Sequence, residues 1–270
     1  MYAIAELAQA DPVFDWSFFA NSVFHPSGEF LTGLWRTVYI SVVAQAAGVV
    51  AGMFIALARR SRIRALRRLG ATYVWIIRGT PLLVQLVIVY NGLAATGIYR
   101  FKDISVGSFT LMGVIQAAIL TLAMNESAYM AEIIRAALDA IDVGQAEAAK
   151  ALGMSPAVAM RWVMLPQAAK IVVPPLGNEF NLMMKSTSLL SVIGVQEMFL
   201  TAQSINSATF KTFEIFMAAA VYYLLLTTIW AFIQSAIERK FEGPGSSGTS
   251  TSARTRLLGG ASRLGFGGAR

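Results

Sequence analysis

The chain has 270 residues, of which 56% are hydrophobic and only 14% are charged, and this polarity is too low for an ordinary water-soluble domain. It contains no cysteine, which excludes disulfide bonds, thiol nucleophiles and cysteine-ligated metals. The formal net charge of +7 comes from arginine blocks beside apolar runs, a pattern typical of membrane-protein loops and not of nucleic-acid binding. We therefore predict a polytopic membrane protein that contacts membrane lipid and binds no nucleic acid.

Five segments have roughly the 20 mostly apolar residues that a transmembrane helix needs. They are residues 34–57, 73–95, 107–138, 171–199 and 215–237. The second is interrupted at Gly79-Thr80-Pro81, because proline removes a backbone donor and clashes one turn back. The first carries Gly48 and Gly52 after Ala44, a stripe of small residues that suits close helix packing. The expected fold class is all-α, with about five transmembrane helices.

The positions of the arginines predict the orientation of the chain. Residues 59–68, between the first and second segments, hold six arginines and no acid, so this loop is expected in the cytoplasm. The N-terminus then lies outside and, after five crossings, the C-terminus lies inside. We expect residues 1–30 to form a periplasmic or interfacial segment, residues 31–242 the transmembrane domain and residues 243–270 a disordered cytoplasmic tail, because that last stretch is rich in Gly, Ser and Thr.

The loop 142–166 reads as two capped helices. Asp142 is expected as an N-cap with Gln145 as its capping-box partner, before a helix over residues 143–152 that ends at a left-handed Gly153. Ser155 and Pro156 begin a second short helix, which we expect Pro166 to terminate. The small side chains of the first helix would allow another surface to approach its backbone. A bracing helix that packs on the protein's own helix ends is the alternative.

The same loop resembles a known family. The residues Glu147, Ala148, Ala149, Gly153, Leu165 and Pro166, with Val163 in place of isoleucine, match the EAA pattern (E-A-A-x3-G-x9-I-x-L-P) of importer-type ATP-binding cassette permeases. The resemblance implies a type I importer permease (MetI-like) fold in the bacterial inner membrane. It implies that these residues couple the membrane helices to an ATPase subunit.

Further segments resemble the subfamily that imports polar amino acids, namely the histidine, glutamine, arginine and cystine permeases. These segments are "RGTPLLVQL", "NESAYMAEIIRAAL" and "KSTSLLSVIGVQEM", which begin at residues 78, 125 and 185. The resemblance implies four partners: a dimer of ATPase subunits that binds ATP and Mg²⁺, a second permease copy or paralogue, an extracytoplasmic solute-binding protein and a polar amino acid as substrate. It covers roughly residues 31–240.

Ionisable side chains inside a span are costly, so each is a functional candidate. A zwitterionic amino acid needs both charges met once it leaves water, and Lys185, its neighbouring hydroxyls and Glu179 supply both signs on one segment. The substrate-path candidates are Glu126, Glu179, Lys185, Ser186, Thr187 and Ser188. A polar dimer interface, or pairing with neighbouring helices, explains these residues equally well.

Two charged positions receive structural interpretations. We expect Arg78 to reach the cytoplasmic headgroups or brace a helix, because it lies close to the start of its segment. Glu132 and Arg135 stand three residues apart on one helix and are expected to pair with each other.

The sequence has no G-x4-G-K-[ST] motif, so we do not expect this chain to hydrolyse ATP or to act as an enzyme. His25 is the only histidine, which leaves nothing for a histidine metal site, and no cofactor is expected in this chain. An ion-coupled secondary transporter or channel subunit is the alternative function, but it predicts an inverted internal repeat that is not visible. A membrane scaffold that anchors a cytoplasmic partner is a third possibility.

Overall fold

The computed structural model describes residues 14–107 and 109–241, so the predicted tail 243–270 lies outside the described residues, as does the start of the N-terminal segment. The α-helices in chain order are Trp16–Phe24 (α1), Gly28–Arg59 (α2), Arg64–Gly79 (α3), Leu82–Val87 (α4), Leu93–Ala95 (α5), Gly113–Asp139 (α6), Val143–Ala151 (α7), Pro156–Ala159 (α8), Leu165–Ser186 (α9), Met198–Thr209 (α10) and Thr212–Phe241 (α11). Two π-helical turns (Ile88–Gly92 and Met160–Met164), a 3-10 helix (Thr187–Ile193) and a hairpin of β1 (Ile104–Val106) with β2 (Phe109–Leu111) complete the fold.

All five predicted segments are largely helical, with two corrections. Among the described residues, α2 and α11 are long and apolar enough to cross a bilayer singly, and α3 with α4–α5 makes a third crossing if this bent pair is one span. The third segment begins as a helix at Gly113 and not near residue 107, because β1 and β2 precede that helix. The fourth segment is not one helix, since Gly194 adopts a left-handed φ of 87° after the 3-10 helix and separates α9 from α10.

The break in the second segment is larger than a kink, because α3 and α4–α5 meet at 105°. Thr80 is extended, as expected for a residue before proline, and Pro81 has no N–H for the carbonyl of Ile77. The side-chain amide of Gln85 replaces that donor, lying 2.7 Å from the Ile77 oxygen and 2.8 Å from the Thr80 hydroxyl. The bend is therefore hydrogen-bonded from within and does not depend on solvent.

Helices α2 and α6 pack closely against each other at the predicted small-residue stripe. A Cβ added to Gly48 would lie 2.6 Å from the Cβ of Glu126, and one added to Gly52 would lie 2.6 Å from the Cβ of Met130. Ala44 and Ala56 continue this stripe and are fully buried. The two helix backbones can approach this closely only because the stripe lacks side-chain bulk.

The two ends of the bundle differ in charge. One end, called the arginine-rich end below, holds the α2–α3 connection with its arginines and also the loop that follows α6, because Asp139 at the end of α6 pairs with Arg60. At the opposite end α1 packs on α11, and Asp15 pairs with Lys211 at 3.1 Å. The Phe18 backbone N–H and the Lys211 ammonium hold the pKa of the Asp15 carboxyl below its usual value.

Candidate functional site

The loop at the arginine-rich end has the capped first helix that its sequence predicts. The Asp142 carboxylate accepts from the Gly144 N–H at 2.7 Å and begins α7. Gly153 has a φ of 76°, and the N–H groups of Gly153 and Met154 donate to the carbonyls of Lys150 and Ala149, each at 3.0 Å. This pair of hydrogen bonds is a Schellman C-cap. The predicted capping box is absent, because Gln145 accepts from Gln167 instead.

The second helix of the loop begins as predicted and ends differently. Ser155 accepts from the Val158 N–H and Pro156 occupies the first turn of α8. Pro166 does not terminate the helix, because α8 continues through the π turn into α9, where Leu165 N–H donates to the carbonyl of Met160. Pro166 therefore lies within a continuous helical run, at the point where the π turn passes into α9. The loop is thus continuous with a long helix of the bundle.

The surface of this loop is unusually apolar for a polar end of the molecule. Val143, Leu152 and Trp162 are 71%, 77% and 69% exposed. Glu147 and Ala148 are exposed as well, whereas Ala149 is buried. Large exposed apolar side chains on a rigid, capped element mark an interaction surface.

A cluster of charged residues joins the helices beside this loop. It consists of Arg59, Arg60, Arg78, Glu132, Arg135 and Asp139, and it is called the charged cluster below. The predicted pair of Glu132 with Arg135 is present at 2.9 Å. Glu132 also accepts from Arg59 on α2 at 2.6 Å, a contact between helices that the spacing along one helix did not indicate. Arg78 lies 3.8 Å from Glu132 and over the Tyr129 ring, as a bracing residue would.

The substrate-path candidates separate into three places. Glu126, Glu179 and Ser186 line one cavity of about 290 Å³ between α4, α6 and α9, which we call the acidic cavity. Its other polar lining residues are Asn125 and Tyr129. Glu126 is 4% exposed and lies at the midpoint of α6. The structure therefore brings together two carboxylates that lie on different predicted segments.

Lys185 and Ser188 line a different cavity, of about 540 Å³, with Phe199, Phe216 and Tyr223. Thr187 is fully buried and its hydroxyl donates to the Met184 carbonyl, so it is part of the core. The expected arrangement, in which Lys185 and Glu179 face one substrate from one segment, is not formed. Residues six apart on a helix point in widely different directions, because each residue turns the helix by about 100°.

Three polar residues of the site were missed by the sequence argument. Gln45 on α2 donates to Glu126 at 2.7 Å, and Gln85 accepts from Asn125 at 3.0 Å. Tyr129 lines the acidic cavity and underlies Arg78. Uncharged glutamines in apolar runs attract little notice, although a buried amide in such a run needs a hydrogen-bond partner.

A known protein family matches most of the chain. Residues 48–243 match the sequence profile of the family described as "Binding-protein-dependent transport system inner membrane component". The chain belongs to this family. It is therefore an inner-membrane permease, which confirms the membrane protein predicted from composition and the inner-membrane location implied by the resemblance.

Individual relatives agree with the assignment. The chain is 35% identical over 230 residues to the probable amino-acid permease protein YxeN of Bacillus subtilis (strain 168), which covers 85% of this chain and 97% of that protein. It is also 35% identical over 229 residues to the glutamine transport system permease protein GlnP of Escherichia coli (strain K12), covering 85% and 98%. The resemblance to permeases of ATP-binding cassette importers is confirmed, and nothing supports the ion-coupled alternative.

Solved structures bear out the fold. The permease superposes with a TM-score of 0.70 and 40% identity on a chain of "an amino acid ABC transporter with histidines", over 78% of this chain and 94% of that one. It superposes with a TM-score of 0.65 on a chain of the MetNI methionine transporter, over 80% and 98%, and this match at 21% identity concerns the fold alone. The predicted all-α, MetI-like permease fold is confirmed.

Proposed function

We propose that this permease forms half of a path for polar amino acids, with a second copy or paralogue as the other half. An extracytoplasmic binding protein delivers the substrate, and a pair of ATPase subunits that bind ATP and Mg²⁺ drives its import. The N-terminus faces outward and the C-terminus inward. Support for the substrate comes from the relatives named as amino acid and glutamine permeases. Support for the orientation comes from the arginines of residues 59–68.

The contact with the ATPase is assigned to the loop that contains Glu147, Ala148, Ala149, Gly153, Leu165 and Pro166. The observation that carries this assignment is the capped helix α7, which begins at the exposed Val143 and is followed by the exposed Leu152. A rigid helix loses little entropy on binding, and its apolar side chains gain from burial. The second helix of the loop continues into α9, so a force on α7 and α8 reaches the helix that carries Glu179.

The substrate path is assigned to the acidic cavity, with Glu126, Glu179 and Ser186 in its wall. It lies at the midpoint of α6 and beside the break at Pro81. Irregular backbone at membrane depth is tolerated where it is buried in protein or lines a cavity. Lys185 and Ser188 line the separate cavity and are assigned to a second part of the path wall, and Thr187 is assigned to packing.

Coupling can be tested at Gly153 with the complete transporter in proteoliposomes. A Cβ at Gly153 would meet nothing within 4 Å, so a substitution acts through the φ of 76° alone. Gly153→Val places a β-branched residue in the left-handed region, at a cost of about 1–2 kcal/mol. We expect substrate-stimulated ATPase activity and uptake to fall several-fold while the protein still inserts.

Gly153→Asn is the matched control, because asparagine adopts the left-handed conformation more readily than other side chains. We expect this variant to keep most of the uptake. Equal transport by the Val variant and the unmodified chain would remove the coupling role of the loop. Loss of ATPase co-purification in the Val variant alone would locate the defect in docking.

A further inference from the structure

The acidic cavity is lined by more acidic than basic side chains. Glu126 and Glu179 both line it, and Arg78 lies over the ring of Tyr129, another lining residue, at 5.1 Å from the ring centroid. Arg78 is shared, because it also lies 3.8 Å from Glu132 in the charged cluster. Lys185 lines the separate cavity and offers no charge here. With both carboxylates ionised, the cavity therefore has a net negative charge.

Glu126 is buried, lines the acidic cavity and has unevenly satisfied carboxylate oxygens. Gln45 donates to Oε1 at 2.7 Å, and no donor among residues 14–107 and 109–241 reaches Oε2. The residue is only 4% exposed, so solvent compensates little of its charge. A buried carboxylate is stable only when it is paired and hydrogen-bonded, or when it is protonated. An arriving cation satisfies the first condition.

The wall that carries Glu126 is built in advance of any ligand. The backbone of α2 at Gly48 leaves no room behind the Glu126 side chain, since a Cβ there would lie 2.6 Å from both Cβ and Cγ of Glu126. Asn125 is held by Gln85, and Gln85 is in turn held by the broken turn at Ile77 and Thr80. Groups fixed in this way lose little freedom when a ligand binds.

From this charge pattern we propose that the acidic cavity binds amino acids with a cationic side chain. Such a molecule carries two cationic groups and one carboxylate, which complement two carboxylates and Arg78. A neutral amino acid leaves one carboxylate of the cavity unpaired, and an acidic amino acid adds a further negative charge to it. The volume of about 290 Å³ is near the lower end of the range for small-molecule sites, about 300–1,000 Å³. This selectivity rests on the proposed amino acid path.

The test measures binding directly, so that the delivering protein does not choose the ligand. The permease is purified in detergent with its ATPase subunits, and its thermal midpoint is followed in L-arginine, L-lysine, L-glutamine and L-glutamate at matched ionic strength. A ligand that binds only the folded protein raises that midpoint. We expect a concentration-dependent rise with arginine or lysine and none with glutamine or glutamate.

Two variants locate the effect. Glu126→Gln and Glu179→Gln keep the shape of the side chain and remove its charge, and each should weaken the binding of the cationic amino acid by about tenfold or more. Glu238→Gln is the control, because Glu238 lies at the far end of α11 and bonds only to Gln234 among the described residues. A normal midpoint without ligand shows that each variant is folded.

The outcomes distinguish the proposed selectivity for cationic side chains from the proposed amino acid path. Arginine or lysine binding that both cavity variants weaken supports the selectivity. Equal binding of glutamine or glutamate to the unmodified permease, or unchanged arginine binding by both cavity variants, overturns the selectivity and leaves the amino acid path standing. If none of the four amino acids raises the midpoint, both the path and its selectivity are overturned.

Discussion

The Glu132 carboxylate on α6 accepts a hydrogen bond of 2.6 Å from the Arg59 guanidinium at the last residue of α2. Its second oxygen accepts two more from Arg135, at 3.0 and 2.9 Å. Glu132 thus accepts hydrogen bonds from guanidinium groups of two helices at the end of the bundle from which the coupling loop departs. A carboxylate that accepts from several cationic donors contributes more to the stability of the fold than an isolated surface ion pair does.

Replacing Glu132 should loosen this end of the bundle. Glu132→Gln leaves Arg59 and Arg135 without their shared partner while keeping the side-chain size. Because the pair with Arg59 is mostly shielded from solvent, with side-chain exposures of 17% and 22%, we expect a loss of about 1–3 kcal/mol of stability. The measurement is the thermal midpoint of the purified permease.

Asp139→Asn is the matched control for that change. Asp139 pairs with Arg60 and Arg135, and its side chain is 48% exposed, so we expect a loss of about 0–1 kcal/mol. Equal midpoints for the two variants would contradict the special role given to Glu132.

The contact between α2 and α6 makes a second prediction. In Gly52→Ala the new methyl group would lie 2.6 Å from the Cβ of Met130 and 2.9 Å from the carbonyl of Ser127, so the helices must separate. Overpacking of this kind costs about 1–3 kcal/mol, and we expect a lower thermal midpoint with reduced uptake. Gly79→Ala is the control, because a Cβ there meets nothing within 4 Å. A Gly52 variant as stable as the Gly79 variant would show that the contact is looser than described.

The orientation makes a third prediction, and the lack of native cysteine makes it simple to test. Ser17→Cys on α1 and Arg62→Cys between α2 and α3 each introduce one exposed thiol at opposite ends of the bundle. In intact cells a membrane-impermeant maleimide should label the Ser17 variant at once and the Arg62 variant only after permeabilisation. The reverse pattern would invert the proposed topology and place the coupling loop outside.

Local signals predicted much of the permease correctly. The caps at Asp142, Gly153 and Ser155 appear where the sequence puts them, because each depends on the chemistry of one residue and its immediate neighbours. The interruption at Pro81 was also predicted, although its angle was not. Pro166 was misread, because a π turn before it let the helix continue, and that turn depends on how the loop joins α9.

Local sequence signals could not predict the contacts between helices. The bond of Gln45 with Glu126 joins residues 81 positions apart, and neither side chain predicts the other. Lys185 and Glu179 were grouped because they share a segment, whereas the helical turn places them in different cavities.

The sequence by itself determined the membrane class, the capped loop and the family, because apolar length, cap chemistry and motif spacing are local properties of the chain. Only the tertiary structure decided which charges face one another. Helices α2, α4, α6 and α9 must pack before Gln45, Gln85, Glu126 and Glu179 can meet, and the glycines of α2 set how closely they approach. The selectivity of the acidic cavity is therefore a property of that packing.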